Sequence, residues 1–382
     1  MAYLNVFINN SNKNPINVNR DTKPVPPGPG IEKWVKEHMV FWYDVQKQGA
    51  TNEILKANPY LQDHSGNNRP LKLNNFLFAA MSGVGGYEYN WLDSTLFVTY
   101  LGGVRGNGTI TSNTITISSV NVSSGVIESR VSSPSKKYKV KVTGITSDET
   151  LRYVVYGDTS LGENATIIFD MKKDGEYELP ASTYSATYNM KWQVIAASYP
   201  HTCNITVEQI PLYPNALVTD GVDDYGVVEN FKSLQNYMMF FQCAIIRPVT
   251  SKGMFSTTPI EGNTKGWMLL QGNSANAVRF GNNVYKNFNV TSSIGDKISY
   301  VLSANNELMT CYVGEEKATI AGTYKQTGAN MSLFLSDNNN KTRFGSMAFY
   351  KSILFDSVPT KENDGFTEQD LIDYVLENII TQ

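Results

Sequence analysis

The chain has 382 residues, of which 41 % are hydrophobic and only 18 % charged, with 29 Gly, 22 Tyr and 17 Phe. A formal net charge of −3 argues against a sequence-independent grip on nucleic acid or an anionic membrane, and no apolar run approaches the ~20 residues of a membrane span. Tyr and Phe suit pleated surfaces while Asn and Gly suit turns, so the composition predicts a mainly β protein of two or three domains.

Residues 1–30 read as an extended arm: a short apolar YLNVFI, an Asn-rich stretch, and a Pro/Gly linker PVPPGPG from Pro24 to Gly30. Such a segment continues neither a helix nor a central strand. It is either a frayed terminus or a peg that orders against a partner. The opening residues carry no basic leader, apolar core or small-residue cleavage site, so no signal peptide is expected. Residues Ile31 to Val45 place apolar side chains at 31, 34, 35, 39 and 42, close to helical spacing, and suit either a helix or a helix turning into a strand. The following stretch is turn-rich, with SGNN and GVGG runs, and residues 31–95 are expected to form an irregular anchoring region.

From about residue 96 the pattern becomes β. TITSNTITISSV and YKVKVTGI alternate at period two, and LRYVVYG, ATIIFDM, GEYELPA, YNMKWQVIAA and CNITVEQI follow with turn residues between them. Short strands at such spacing predict a β-sandwich over 96–210. Pro211 and Pro214 then punctuate the chain. A second β region spans 211–382, with MMFFQCAIIRP, KGWMLLQG, AVRFG, KISYVLSA, LMTCYVG, MSLFLS and MAFYKSILF as its strands. The last segment, TEQDLIDYVLENII, predicts a helix with Thr367 as N-cap and an apolar face of Leu371, Ile372, Val375, Leu376 and Ile379. Cys203, Cys243 and Cys311 are far apart, match no zinc spacing, and read as reduced core thiols of a chain folded in a reducing cytoplasm.

Three segments carry a resemblance. Ala216 to Val228 (ALVTDGVDDYGVV), Lys297 to Ile320 (KISYVLSANNELMTCYVGEEKATI) and Arg343 to Glu362 with the helix after it match, in order and spacing, the laminin G/concanavalin-like jelly roll. That family places an Asp before the Gly of its tight turn. Here Val313 precedes Gly314, a departure from the pattern on which that family's calcium or sugar site would carry over. A narrower resemblance links VFWYDVQKQGATNEILKANPYLQDHSGNNRPLKLNNFLFAAMSGVGGY and VEQIPLYPNALVTDGVDDYG (Val207 to Gly226) to structural proteins, head or tail appendages, of gut Bacteroidales and crAss-like phages. The resemblance implies a virion component made in the host bacterial cytoplasm. Its partners would be capsid or tail proteins, reached through the N-terminal arm, and further copies of itself.

No residue pattern supplies catalysis. Glycosidases need two carboxylates about 5–9 Å apart across the scissile bond, and no E-x-D-x-x-E run exists. Asp220, Asp223 and Asp224 are the densest acids and suit an Asx-stabilised turn, with calcium as the competing use. His38, His64 and His201 lie in separate segments, AMSGVGG lacks the first glycine of a nucleophile elbow, and GVGG has no Lys-Ser/Thr after it for a phosphate loop. Neither cofactor nor metal is expected, and nucleic acid and membrane are excluded as partners. Trp267 and Tyr285, in expected loops of the second sandwich, are the candidate glycan-binding residues, since aromatic faces stack on sugars. The expectation is a non-enzymatic mainly β virion protein: an irregular N-terminal region, a central β-sandwich and a C-terminal concanavalin/laminin G-like jelly roll with a terminal α-helix. Competing with it are a bacterial carbohydrate-binding module or adhesin, and a glycan-cleaving tail protein.

Overall fold

The segment that suited both helix and strand is both. Ile31–His38 is an α-helix burying Ile31, Trp34 and Val35, and Met39–Asp44 continues directly as a strand. The computed structural model describes residues 2–5, 17–20, 30–88, 91, 97–99, 105–111, 113–123, 127–129, 137–156, 166–180, 190–229, 231, 234, 236–248, 252–257, 268–272, 277–281, 285–289, 293–305, 308–321, 331–337 and 342–381. Most of the Pro/Gly linker and Trp267 lie outside these residues. In the arm, Ala2–Asn5 pairs antiparallel with Asn17–Arg20. The fold is mainly β, and the chain divides into two compact units: 1–78, 82–85 and 215–382 in one, 79–81 and 86–214 in the other.

Among the described residues, the first unit contains two antiparallel eight-stranded sheets. One runs in the order Glu316–Ala321, Leu308–Val313, Lys297–Ala304, Tyr237–Arg247, Ser346–Phe355, Leu217–Val218, Gly83–Val84, and Met39–Asp44 also pairs with Ser346–Phe355. The other runs Tyr285–Asn289, Ala277–Gly281, Met268–Gln271, Gly253–Thr257, Met331–Leu333, Tyr225–Val228, Leu71–Asn74, Tyr60–Leu61. Phe41, Tyr43, Phe241, Phe255, Leu333 and Phe349 belong to the large apolar core of this unit. Helices Ile31–His38 and Glu368–Val375 cover the opposite face of the first sheet, where Met238, Phe240, Val301, Ile353 and Phe355 meet Trp34, Leu371 and Val375. Buried on both faces, Tyr237–Arg247 and Ser346–Phe355 read as continuous apolar runs instead of alternating ones. Gly314, at φ +58°, makes the tight turn between Leu308–Val313 and Glu316–Ala321.

The expectation of a separate irregular region over 31–95 needs correction. Residues 31–78 and 82–85 supply a covering helix and strands to both sheets, so they are part of this sandwich. Tyr60–Leu61 and Gly83–Val84 are two residues each, too short to show any period-two signal.

The final helix is shorter than its apolar pattern suggests. Glu368–Val375 is α-helical and Leu376–Ile380 closes as a π turn. Thr367 caps it as expected: its hydroxyl accepts from Asp370 N while Asp370 Oδ2 accepts from Thr367 N at 2.7 Å, a reciprocal capping box.

Among the described residues, the second unit also holds two antiparallel sheets, each of five strands. Tyr138–Thr143 alternates buried and exposed along its length, as YKVKVT predicts. Trp192 and Tyr153, with ring centroids 5.1 Å apart, sit in its core with Ile115, Val140, Leu151 and Val207. All three cysteines are unpaired and buried.

Candidate functional site

The segment carrying the strongest resemblance, Ala216 to Val228, crosses from one sheet of the first unit to the other in a few residues. Leu217–Val218 pairs with Phe349 and Ala348 on one side and with Val84 and Gly83 on the other. Thr219, fully buried, donates its hydroxyl to Gly345 O at 2.7 Å and accepts from Met347 N. Gly221 then turns at φ +78°, where a Cβ would lie 2.8 Å from Ser346 Cβ. Asp220 Oδ1 accepts from Val222 N at 2.7 Å, an Asx turn. Tyr225–Val228 enters the second sheet between Met331–Leu333 and Leu71–Asn74.

The other recognised block meets it there. Ser82 Oγ donates to Asp224 Oδ1 at 2.9 Å and accepts from Leu77 N, and Asn75 Nδ2 donates to Asp223 O at 3.1 Å. Asp224 Oδ2 accepts from Asp220 N at 2.9 Å. Segments some 140 positions apart thus form one joint, with a fully buried carboxyl at its centre. Burial pushes the Asp224 carboxyl up to about 7, helped by the charges of Asp220 and Asp223 and opposed by the Asp220 N–H and the Ser82 hydroxyl.

The carboxylate oxygens of Asp220, Asp223 and Asp224 lie within 4.8 Å of one another, a hard donor set compatible with calcium. Both Asp224 oxygens and one of Asp220 already accept hydrogen bonds that hold the turn. The Asp220 and Asp224 carboxylates thus serve as acceptors within the turn.

Of the two candidate glycan residues, one is described. Trp267 lies outside the described residues. Tyr285, expected in a loop, is instead the first residue of the edge strand Tyr285–Asn289, opposite Gly281. The Asn-rich flank hid a strand whose alternation spans only five residues.

A second feature escaped the sequence reading. On the helix-covered face of the first sheet, Asp44, Lys351, Gln242 and Ser299 are register neighbours across four strands. Lys351 Nζ sits 3.1 Å from Asp44 Oδ2, both side chains being 4 % exposed, and also donates to Ile379 O at 3.3 Å. Asp44 Oδ1 accepts from Lys47 N, and Gln242 Nε2 donates to Ser299 Oγ. The neighbouring row, Trp42, Ile353, Phe240 and Val301, is apolar and packs beneath the helices. A cavity of about 280 Å³ opens beside the polar row, lined by Trp42, Asp44, Gln46, Lys47, Lys351 and Ile379. Lys47 Nζ stands 4.5 Å from the Trp42 ring centroid, a cation–π contact. His64, edge-on to Trp42, is pushed below its usual value by burial and then by the Lys47 charge, against Asp44 and Asp63. The available signal was a lone charge inside each of two apolar strands, VFWYDV and MAFYKSILF.

No family model matches the chain, and no curated protein matches it. Among solved structures, domain 4 of AbnA, a GH43 extracellular arabinanase of Geobacillus stearothermophilus in complex with arabinotriose, is 13 % identical over 41 % of this chain and 80 % of its own, with a TM-score of 0.29. A Trypanosoma rangeli sialidase in complex with sialic acid is 9 % identical, covering 72 % of this chain and 62 % of its own at a TM-score of 0.34. A botulinum neurotoxin type C structure, titled for cell entry that depends on two ganglioside molecules, is 12 % identical, covering 40 % of this chain and 42 % of its own at 0.29. At these scores the likeness assigns no activity.

Proposed function

We propose that this chain is a non-enzymatic structural protein of a bacteriophage particle, a head or tail fibre or decoration protein. Its N-terminal arm anchors it to capsid or tail, and its β-sandwiches are displayed outward to engage host-surface or mucosal glycans as a homo-oligomer. One observation carries the reading: the two blocks with the phage-protein resemblance converge in a single joint, through Ser82–Asp224, Asn75–Asp223 and strand pairing in both sheets. That the resembling residues pack against one another supports reading them together. A non-catalytic role is supported by the use of the densest acid cluster as turn acceptors. Display in many copies raises the apparent affinity of a weak sugar site by about 10²–10⁴ without new contacts.

The experiment is assembly of particles with the full chain or with residues 1–29 deleted. The deletion stops there because Ile31–Asp44 belongs to the sandwich. The full chain is expected in purified particles and the truncated chain only in the soluble fraction. Full-level incorporation of the truncated chain overturns anchoring through the arm. Absence of the full chain from particles overturns the virion role.

A further inference from the structure

We infer that the cavity beside Trp42 is a binding site for an acidic sugar residue, a single ring bearing a carboxylate. Size is the first argument. Pockets for drug-sized ligands run about 300–1,000 Å³, so about 280 Å³ suits one ring and not a longer chain.

Charge is the second. The lining holds two ammonium groups, Lys47 and Lys351, against one carboxylate, Asp44. Asp44 is committed to Lys351 and to the Lys47 backbone N–H. Among the described lining residues, that leaves the exposed Lys47 ammonium, poised over Trp42, to meet an incoming anion. Lys297, itself stacked 4.2 Å from the Tyr350 ring centroid, adds positive charge nearby.

The cost of the polar row is the third argument. A buried ion pair usually stabilises a fold no better than apolar residues of similar size, because both ions lose their water. One row away, the same four strands carry apolar residues under the helices. Continuing that pattern would have served folding as well, so the Asp44–Lys351 pair lining the cavity marks a site kept polar for another purpose. The wall is mixed to match: Trp42 and Ile379 meet the C–H face of a ring, while Gln46, Lys47 and Lys351 supply donors. An inorganic anion would leave the apolar wall unused, and a neutral sugar would leave Lys47 unused. The choice of a sugar to carry the carboxylate rests on the display reading above; the pocket's charge and shape do not.

The test uses the full chain, titrated with galacturonic acid, galactose and acetate by saturation-transfer NMR and calorimetry. Saturable galacturonic acid binding is expected, with Lys47→Ala weakening it about tenfold, the worth of one charge-assisted contact. Gln46→Ala is expected to weaken it less, and Lys286→Ala, on the other sheet, not at all. Gln46 and Lys47 are exposed, so unchanged melting of those variants separates lost contact from lost fold. Equal binding of galactose or of acetate overturns the inference, as does no saturation or an unaffected Lys47→Ala variant. Lost sugar binding with intact particle incorporation refutes only this site, whereas retained binding without incorporation refutes the virion role and leaves the site standing.

Discussion

The buried Asp224 carboxyl makes this fold lose stability as pH rises, and replacing it with Asn should abolish that dependence. Unfolded, the group titrates near 3.8; folded, near 7. Between those values the folded state holds a proton that the unfolded state has released. The stabilisation is therefore fully present below about 4 and is lost as pH rises through 7. A gap of about three pKa units corresponds to about 4 kcal/mol across the window. Asn at 224 keeps one oxygen for either Ser82 Oγ or Asp220 N and presents an NH₂ to the other donor, a cost of about 1–3 kcal/mol at every pH. Urea unfolding of the two proteins at half-unit steps from pH 5 to 8, followed by fluorescence, tests this. With an Asn cost of about 2 kcal/mol, the Asp224→Asn variant should match the parent protein near pH 5 and exceed it by about 2 kcal/mol at pH 7, the difference changing by about 1.4 kcal/mol per pH unit. Parallel curves for the two proteins over this range would refute the assignment of a raised carboxyl at 224.

Other perturbations probe different parts of the first unit. Gly221→Ala forces a side chain into a left-handed turn against Ser346 and should lower stability by about 1–3 kcal/mol, read from denaturant midpoints. Lys351→Met strands the Asp44 carboxylate in the interior and should cost about 3–5 kcal/mol, whereas the Asp44→Leu, Lys351→Met double variant should recover most of it. A double variant no better than the single one would show that the pair is not the source of the loss. Thr367→Ala removes the capping box and should cost about 1 kcal/mol, measurable as a lower melting temperature with an unchanged β signal by circular dichroism.

Much of the architecture is already written in local pattern. Clean alternation in YKVKVT gave a half-buried strand, the apolar runs MMFFQCAII and MAFYKSILF gave strands, which the structure buries on both faces, and Thr367 three residues before Asp370 gave a helix start. Each signal lies within a dozen residues, where the period of the backbone is imprinted directly on the side chains. The Asx turn at Asp220 was legible for the same reason, since acceptor and donor are two residues apart.

The low charge and the wealth of Tyr, Asn and Gly determined a mainly β chain with polar turns. Only the tertiary structure decided that strands from residues 39–84 complete the same two sheets as residues 215–355, because Met39–Asp44, Leu71–Asn74 and Gly83–Val84 are placed by partners more than a hundred positions away. Likewise, nothing local marks Ser82 as the partner of Asp224, or Asp44 as the partner of Lys351. An isolated charge in an apolar strand states a cost. Register across neighbouring strands, set by the packing of whole sheet faces, determines which group offsets it and whether a cavity opens beside the pair.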